Sequence, residues 1–128
     1  MPKRVLKTPS APGALGPYSV AVQAGDLVFI SGQVAIDPAT GERASDDVAA
    51  QARQIMKNLK AILGDIGLTI NDVAKTTIFL ADINDFSTVN EVYGGYFDRE
   101  PPARSTVEVA ALPGGFLVEI EVVVARSY

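Results

Sequence analysis

Apolar residues recur through the middle of the chain at the spacing of an α-helix. Val48, Ala52, Ile55, Met56, Leu59, Ile62, Leu63 and Ile66 stand three and four apart, which gathers them on one stripe. The spacing predicts a helix over 46–66. Ser45 is placed to cap it, and Asp46 and Asp47 would face the positive end of the helix dipole. Gly67 supplies the left-handed residue that ends many helices, and Leu68 would fold back on the last turn. Phe86, Val89, Tyr93 and Phe97 predict a second helix over 85–98. Gly94-Gly95 weakens it, each glycine costing about 1 kcal/mol against alanine, and Pro101-Pro102 ends it.

Elsewhere the pattern alternates with a period of two. It predicts strands over 3–8, 19–24, 27–31, 73–80, 103–109 and 116–125. Gly25-Asp26 suits a type II′ hairpin turn. Residues 37–42 read as a turn, and 11–18, with two prolines and two glycines, as a shaped loop. Strands, helix, strand, helix, strands is the order of an α+β domain, with two helices covering one face of a mixed sheet. No repeat or linker interrupts it, so one domain is expected over 1–128.

Composition narrows the chemistry. The chain is 48% hydrophobic and 20% charged, ordinary for a globular protein. It has no apolar run near the ~20 residues that span a bilayer, and no signal-like apolar region follows Met1-Pro2-Lys3-Arg4. A soluble cytoplasmic protein without membrane contact is expected. Cysteine and histidine are both absent. That excludes a thiolate nucleophile, a serine–histidine–acid triad and any thiolate metal site. Catalysis would rest on carboxylates, Lys, Arg, Tyr, hydroxyls, backbone groups or water, with neither metal nor cofactor expected. A net charge of −4 disfavours nucleic acid, whose affinity comes largely from neutralised phosphates.

Two strands bring polar residues together. Arg104, Thr106 and Glu108 share one face of the first; Ser105, Val107 and Val109 share the other, expected to be the core face. In the second, Glu119 and Glu121 share a face with Leu117 and Val123. Were that face covered, one carboxyl would be paired or hold its proton more tightly. Such alternation is usually only the solvent side of a half-buried strand. Arg104 alone reads most simply as an ion-pair residue, Ser31-Gly32 as a strand-end turn and Thr106 as a good strand former. Tyr18 and Asn90 read as a core-edge aromatic and a solvated helix residue. The pattern by itself does not reach a function.

The same residues fall in motifs that resemble the reactive-intermediate deaminase (RidA/YjgF) family. Pro102-Ala103-Arg104-Ser105-Thr106-Val107, then Ala110-Ala111-Leu112-Pro113, Gly115 and Leu117-Val118-Glu119-Ile120-Glu121, are similar to its C-terminal signature. Ala11-Pro12-Gly13-Ala14 and Gly16-Pro17-Tyr18-Ser19 resemble its N-terminal loop, and Ser31-Gly32-Gln33 its strand-end motif. Gly67-Leu68, Asp72-Val73, Lys75-Thr76-Thr77, Val89-Asn90 and Tyr93 complete a resemblance running from about residue 8 to the end. It implies a chorismate-mutase-like α+β fold and a homotrimer with ligand clefts between subunits.

By the same resemblance, the activity is hydrolysis of 2-imino acids such as 2-iminopropanoate and 2-iminobutanoate to 2-keto acids and ammonia. Pyridoxal-phosphate-dependent dehydratases are the implied suppliers. Arg104 would grip the substrate carboxylate, for which a guanidinium fork is suited, and Glu119 would position and activate the attacking water. Tyr18, Ser31, the Gly32 backbone, Asn90 and Thr106 would line the cleft. Many members carry cysteine where this sequence has Thr106; a hydroxyl can still donate a hydrogen bond there, but a thiol-dependent role is ruled out. The main rival is a regulatory trimer that binds a small carboxylate without turning it over, for which Glu119 would have little use. An endoribonuclease is opposed by the acidic balance, and a chorismate mutase by having one Arg beside two carboxylates for a dianionic substrate.

Overall fold

The computed structural model describes residues 2–126, so Met1, Ser127 and Tyr128, the ends of the domain expected over 1–128, lie outside the described residues. The central apolar stripe becomes α1 (Val48–Asp65), with Ala52, Ile55, Met56, Leu59, Ile62 and Leu63 all buried. Its cap is Asp47 rather than Ser45. The Asp47 carboxylate accepts the Ala50 amide at 2.9 Å, while the Ser45 hydroxyl accepts the Asp47 amide at 3.0 Å. The extended backbone at Asp47 puts its side chain, not that of Ser45, over the open first turn. At the other end Gly67 has φ +78°. The Gly67 amide reaches the Gly64 carbonyl at 3.2 Å and the Leu68 amide the Leu63 carbonyl at 2.8 Å, the paired bonds of a Schellman stop.

The strands are β1 (Arg4–Leu6), β2 (Ala21–Ala24), β3 (Leu27–Gln33), β4 (Ile36–Asp37), β5 (Glu42–Arg43), β6 (Val73–Leu80), β7 (Ala103–Glu108) and β8 (Val118–Ala125). Six form one sheet in the order β1-β2-β3-β8-β6-β7. Only β6 and β7 run parallel, so the sheet is mixed as expected. Ala24 pairs with Leu27 across Gly25-Asp26, and Gly25 carries φ +61°, as a type II′ turn requires. The 37–42 turn closes a separate two-stranded hairpin of β4 and β5. The second helix, α2 (Phe86–Gly94), stops at the glycine pair instead of reaching 98, because glycine holds helical geometry poorly. Phe97 still packs on Tyr93, ring centroids 4.8 Å apart.

Both helices lie on one face. Val118, Ile120, Val122 and Val124 of β8 are buried beneath them with Val28, Ile30 and Ile78. Register then decides where β7 points. Arg104 is level with Thr76 and Val122, and Thr106 with Ile78 and Ile120. Residues level across a sheet share a face, so Arg104 and Thr106 project to the helix side. The expectation that Ser105 and Val107 form the core face is therefore reversed. They lie on the uncovered side, where Val107 is 43% exposed and Val5, Leu27 and Phe29 of the far strands are exposed on the same face, and Val109 falls beyond the strand. The polar side of β7 faces inward because α2 offers it partners. No helix among the described residues is long and apolar enough to cross a membrane.

Candidate functional site

Ser31-Gly32 is not a strand end but a bulge within β3. Ile30 is level with Val122 and Gln33 with Ile120, so two residues stand against Glu121 alone. A bulge re-aims the strand beside it. Here it brings the Gly32 backbone against the Glu119 side chain. A Cβ at position 32 would overlap the Glu119 carboxylate, lying 2.9 Å from its Cδ. Glycine is needed for this close approach.

Glu119 lines a cleft of about 460 Å³ with Tyr18, Ser31 and Gly32, closed by the apolar side chains of Leu15, Val34 and Phe116. Two of its polar members are held in place. The Ser31 hydroxyl donates to the Ser19 carbonyl at 2.6 Å, and the Tyr18 hydroxyl accepts the Leu15 amide at 3.2 Å. The Glu119 carboxyl makes no hydrogen bond or ion pair among the described residues. Burial pushes its carboxyl above the usual range, and the neighbouring Glu121 charge pushes the same way. Both causes disfavour the anion.

Arg104 belongs to a second constellation. Its Nη1 donates to the Asn90 side-chain oxygen at 2.7 Å, and its guanidinium carbon lies 5.1 Å from the Tyr93 ring centre and 5.6 Å from that of Phe86. Phe86, Asn90 and Tyr93 are four and three apart, one stripe of α2. The Tyr93 hydroxyl is fixed at 2.8 Å from the Thr76 hydroxyl. Burial raises the Tyr93 pKa, against the opposing effects of that hydrogen bond and of the Arg104 charge. Arg104 forms no ion pair among the described residues, so a guanidinium with free donors faces outward from a fixed cage. Thr106 shares its face, and the Thr106 hydroxyl is buried without a hydrogen-bond partner among the described residues.

The structure thus brings Tyr18, Ser31, Gly32 and Glu119 together, and Arg104 with Asn90, but keeps the two groups apart. Arg104 projects from the helix side of the sheet and Glu119, one residue from Ile120, from the open side. Leu15 and Phe116 of the cleft, and Arg43, which donates to the Gly114 carbonyl beside it, are features the sequence did not disclose. Arg43 acts over a separation of 71 residues, which no local pattern signals. Phe86 and Tyr93 were legible as a stripe, but not as the bed of a guanidinium. Among the described residues no group of three or more Asp, Glu, His or Cys could hold a metal ion.

Similarity to known proteins agrees with these motifs. The family described as endoribonuclease L-PSP matches residues 8–126. The 2-iminobutanoate/2-iminopropanoate deaminase of Homo sapiens is 50% identical over 125 residues, covering 98% of this chain and 91% of that protein. Protein DfrA of Myxococcus xanthus is 52% identical over 125 residues, covering 96% and 95%. The crystal structure of Escherichia coli TdcF with bound serine matches with a TM-score of 0.91 at 46% identity, covering 97% and 99%. With every element from β2 to β8 and both polar clusters inside the matched span, the chain belongs to the endoribonuclease L-PSP family, the reactive-intermediate deaminases that its motifs resemble.

Proposed function

We propose that the chain hydrolyses small 2-imino acids to 2-keto acids and ammonia, at sites completed between the subunits of a homotrimer with the chorismate-mutase-like fold. One observation supports this beyond likeness to the deaminases. A guanidinium and a desolvated carboxyl, neither ion-paired among the described residues, stand on opposite faces of the sheet. Arg104 of one subunit and Glu119 of the next can then meet across one substrate.

In this reading Arg104, steadied by Asn90 and the Tyr93 ring, grips the substrate carboxylate through two parallel hydrogen bonds. Glu119 takes a proton from a water as that water adds to the carbon of the protonated imine, and the nitrogen becomes a neutral amine. The carboxyl returns that proton to the nitrogen, and the carboxylate so freed takes the hydroxyl proton as the C–N bond breaks, giving ketone and ammonia and leaving the last proton to pass to solvent or ammonia. Burial that raises the Glu119 pKa suits a group that must both take and return a proton near neutral pH. An imine carbon is already electrophilic, so acid–base help of about 10²- to 10⁴-fold suffices. Tyr18, Ser31 and the Gly32 backbone line one wall, and Thr106 and Asn90 the other.

The test is keto-acid formation from imino acids generated in place by an amino-acid oxidase, with semicarbazide competing for the imine. Wild type should outpace buffer, whereas Arg104→Ala and Glu119→Ala should not. A wild type no faster than buffer across several side chains removes the hydrolase reading. A non-catalytic carboxylate-binding trimer, which the serine held by TdcF also accommodates, then stands instead.

A further inference from the structure

One apolar wall of the cleft that holds Glu119 is held by a residue from a separate hairpin. Arg43, at the end of β5, places its guanidinium carbon 4.2 Å from the centre of the Phe116 ring. The same group donates through Nη2 to the Gly114 carbonyl, and through Nη1 to the Gly115 carbonyl at 3.3 Å. Gly114 and Gly115 both have left-handed backbones, φ +73° and +70°, which favour glycine. A Cβ at 114 would lie 2.9 Å from the Phe116 ring. The ring thus has a planar cation over it and a bare glycine against its edge atoms. Arg43 also approaches Asp46 at 3.8 Å, but Asp46 is almost fully exposed, and such a pair contributes little.

Phe116 is the largest apolar side chain of the cleft that holds Glu119. Its position fixes how much room lies beside a substrate carbon attacked by water from Glu119. We propose that Arg43 is a positioning residue that holds the Phe116 wall in place and thereby sets which imino-acid side chains the cleft accepts. The inference rests on the deaminase reading above and deepens it. With the clamp intact, the wall stays close and small apolar side chains keep contact with it. With the clamp gone, the ring recedes, small substrates lose contact and branched ones gain room. Lysine does not replace arginine, because an ammonium cannot stack flat on the ring while donating to two carbonyls.

The experiment compares kcat/KM for 2-iminobutanoate and for the leucine-derived 4-methyl-2-iminopentanoate in wild type, Arg43→Ala, Arg43→Lys, Phe116→Ala and the Arg43→Ala/Phe116→Ala double variant. Both Arg43 variants should move the ratio toward the branched substrate by about tenfold, the scale of a methylene or two in an apolar pocket. The change should fall on KM of the small substrate, with kcat nearly unchanged. Arg43→Ala should add nothing once Phe116 is gone. A ratio that does not move in Arg43→Lys, or a full extra shift in the Phe116→Ala background, overturns the role of Arg43. A wild type that hydrolyses neither imine overturns the deaminase reading instead. The same ratio is then read as binding of 2-oxobutanoate against 4-methyl-2-oxopentanoate by calorimetry, where an unmoved ratio again overturns the proposal.

Discussion

Arg104 and Glu119 leave opposite faces of one sheet, Arg104 level with Val122 and Glu119 one residue from Ile120. No side-chain rotation within a single chain brings a guanidinium through the hydrogen-bonded backbone between them. A site that uses both needs two chains, and that has a measurable consequence. Arg104→Ala and Glu119→Ala should each be inactive alone. Unfolded together and refolded as mixed oligomers, they should regain activity at about a quarter of the sites, the fraction that random neighbours assemble intact. Activity that stays at zero in the mixture, with mixed oligomers shown by native mass spectrometry, would sink the shared-site reading.

Arg104→Lys keeps the charge and loses the geometry. The guanidinium is flat enough to lie over Tyr93 and Phe86 while donating to Asn90, and an ammonium cannot fill all three roles. The expected outcome is a fall in kcat/KM of about 10²-fold, chiefly through KM, with far-ultraviolet circular dichroism unchanged. Kinetics like those of wild type would take Arg104 out of substrate binding.

Gly32→Ala tests the bulge. The added Cβ falls on the Glu119 carboxyl, and the side chain must swing away, since Gly32 is fixed by the strand. Misplacing a reacting group by about 1 Å costs on the order of 10²-fold in rate. The loss should appear in kcat rather than KM, because the Arg104 side of the site is untouched. Equal kcat values for variant and wild type would show that Glu119 has freedom the bulge does not restrain.

The raised pKa of Glu119 gives a pH dependence of defined sign. Desolvation first, and Glu121 second, make its anion harder to form in the folded protein than in the unfolded chain. The carboxyl therefore costs nothing below its ordinary pKa of 4.5, and its ionisation subtracts stability as pH rises through the raised value. Glu119→Gln should melt higher than wild type at neutral pH, with the difference vanishing below 4.5. For catalysis, Glu121→Gln removes the repulsion and should move the acid limb of the kcat/KM profile to lower pH. A limb that stays in place or moves up contradicts the assignment of Glu119 as the titrating group.

How far the sequence could be read depended on whether the information was local. The α1 stripe, its Gly67 stop and the Gly25-Asp26 turn were legible because each is written within a few residues. Alternation separated the two faces of β7 correctly, yet assigned the core to the wrong one. Period two shows that two faces differ, not which is covered, and β7 turns Arg104 and Thr106 inward because α2 supplies Asn90, Tyr93 and Phe86. The Ser31–Gly32 bulge was hidden for a related reason: it exists only in register with β8. Arg104 and Glu119 were named as partners by family resemblance, and the strand pattern alone would not have joined them.

Thr106 carries the last prediction. Its hydroxyl is buried without a partner among the described residues, a condition that costs about 1–3 kcal/mol. Threonine to valine is nearly isosteric and removes that cost, so Thr106→Val should be more stable by about 1 kcal/mol. The same hydroxyl lies on the Arg104 face, where the proposed site has use for a donor toward a carboxylate or water. The stabilised variant should therefore lose about tenfold in kcat/KM, the stability–activity exchange expected of a group kept for function. Thr106→Ser, which restores the hydroxyl, should recover most of the activity. No gain in stability for valine means that the assembled protein already satisfies the hydroxyl; full activity in valine means that the substrate does not need it.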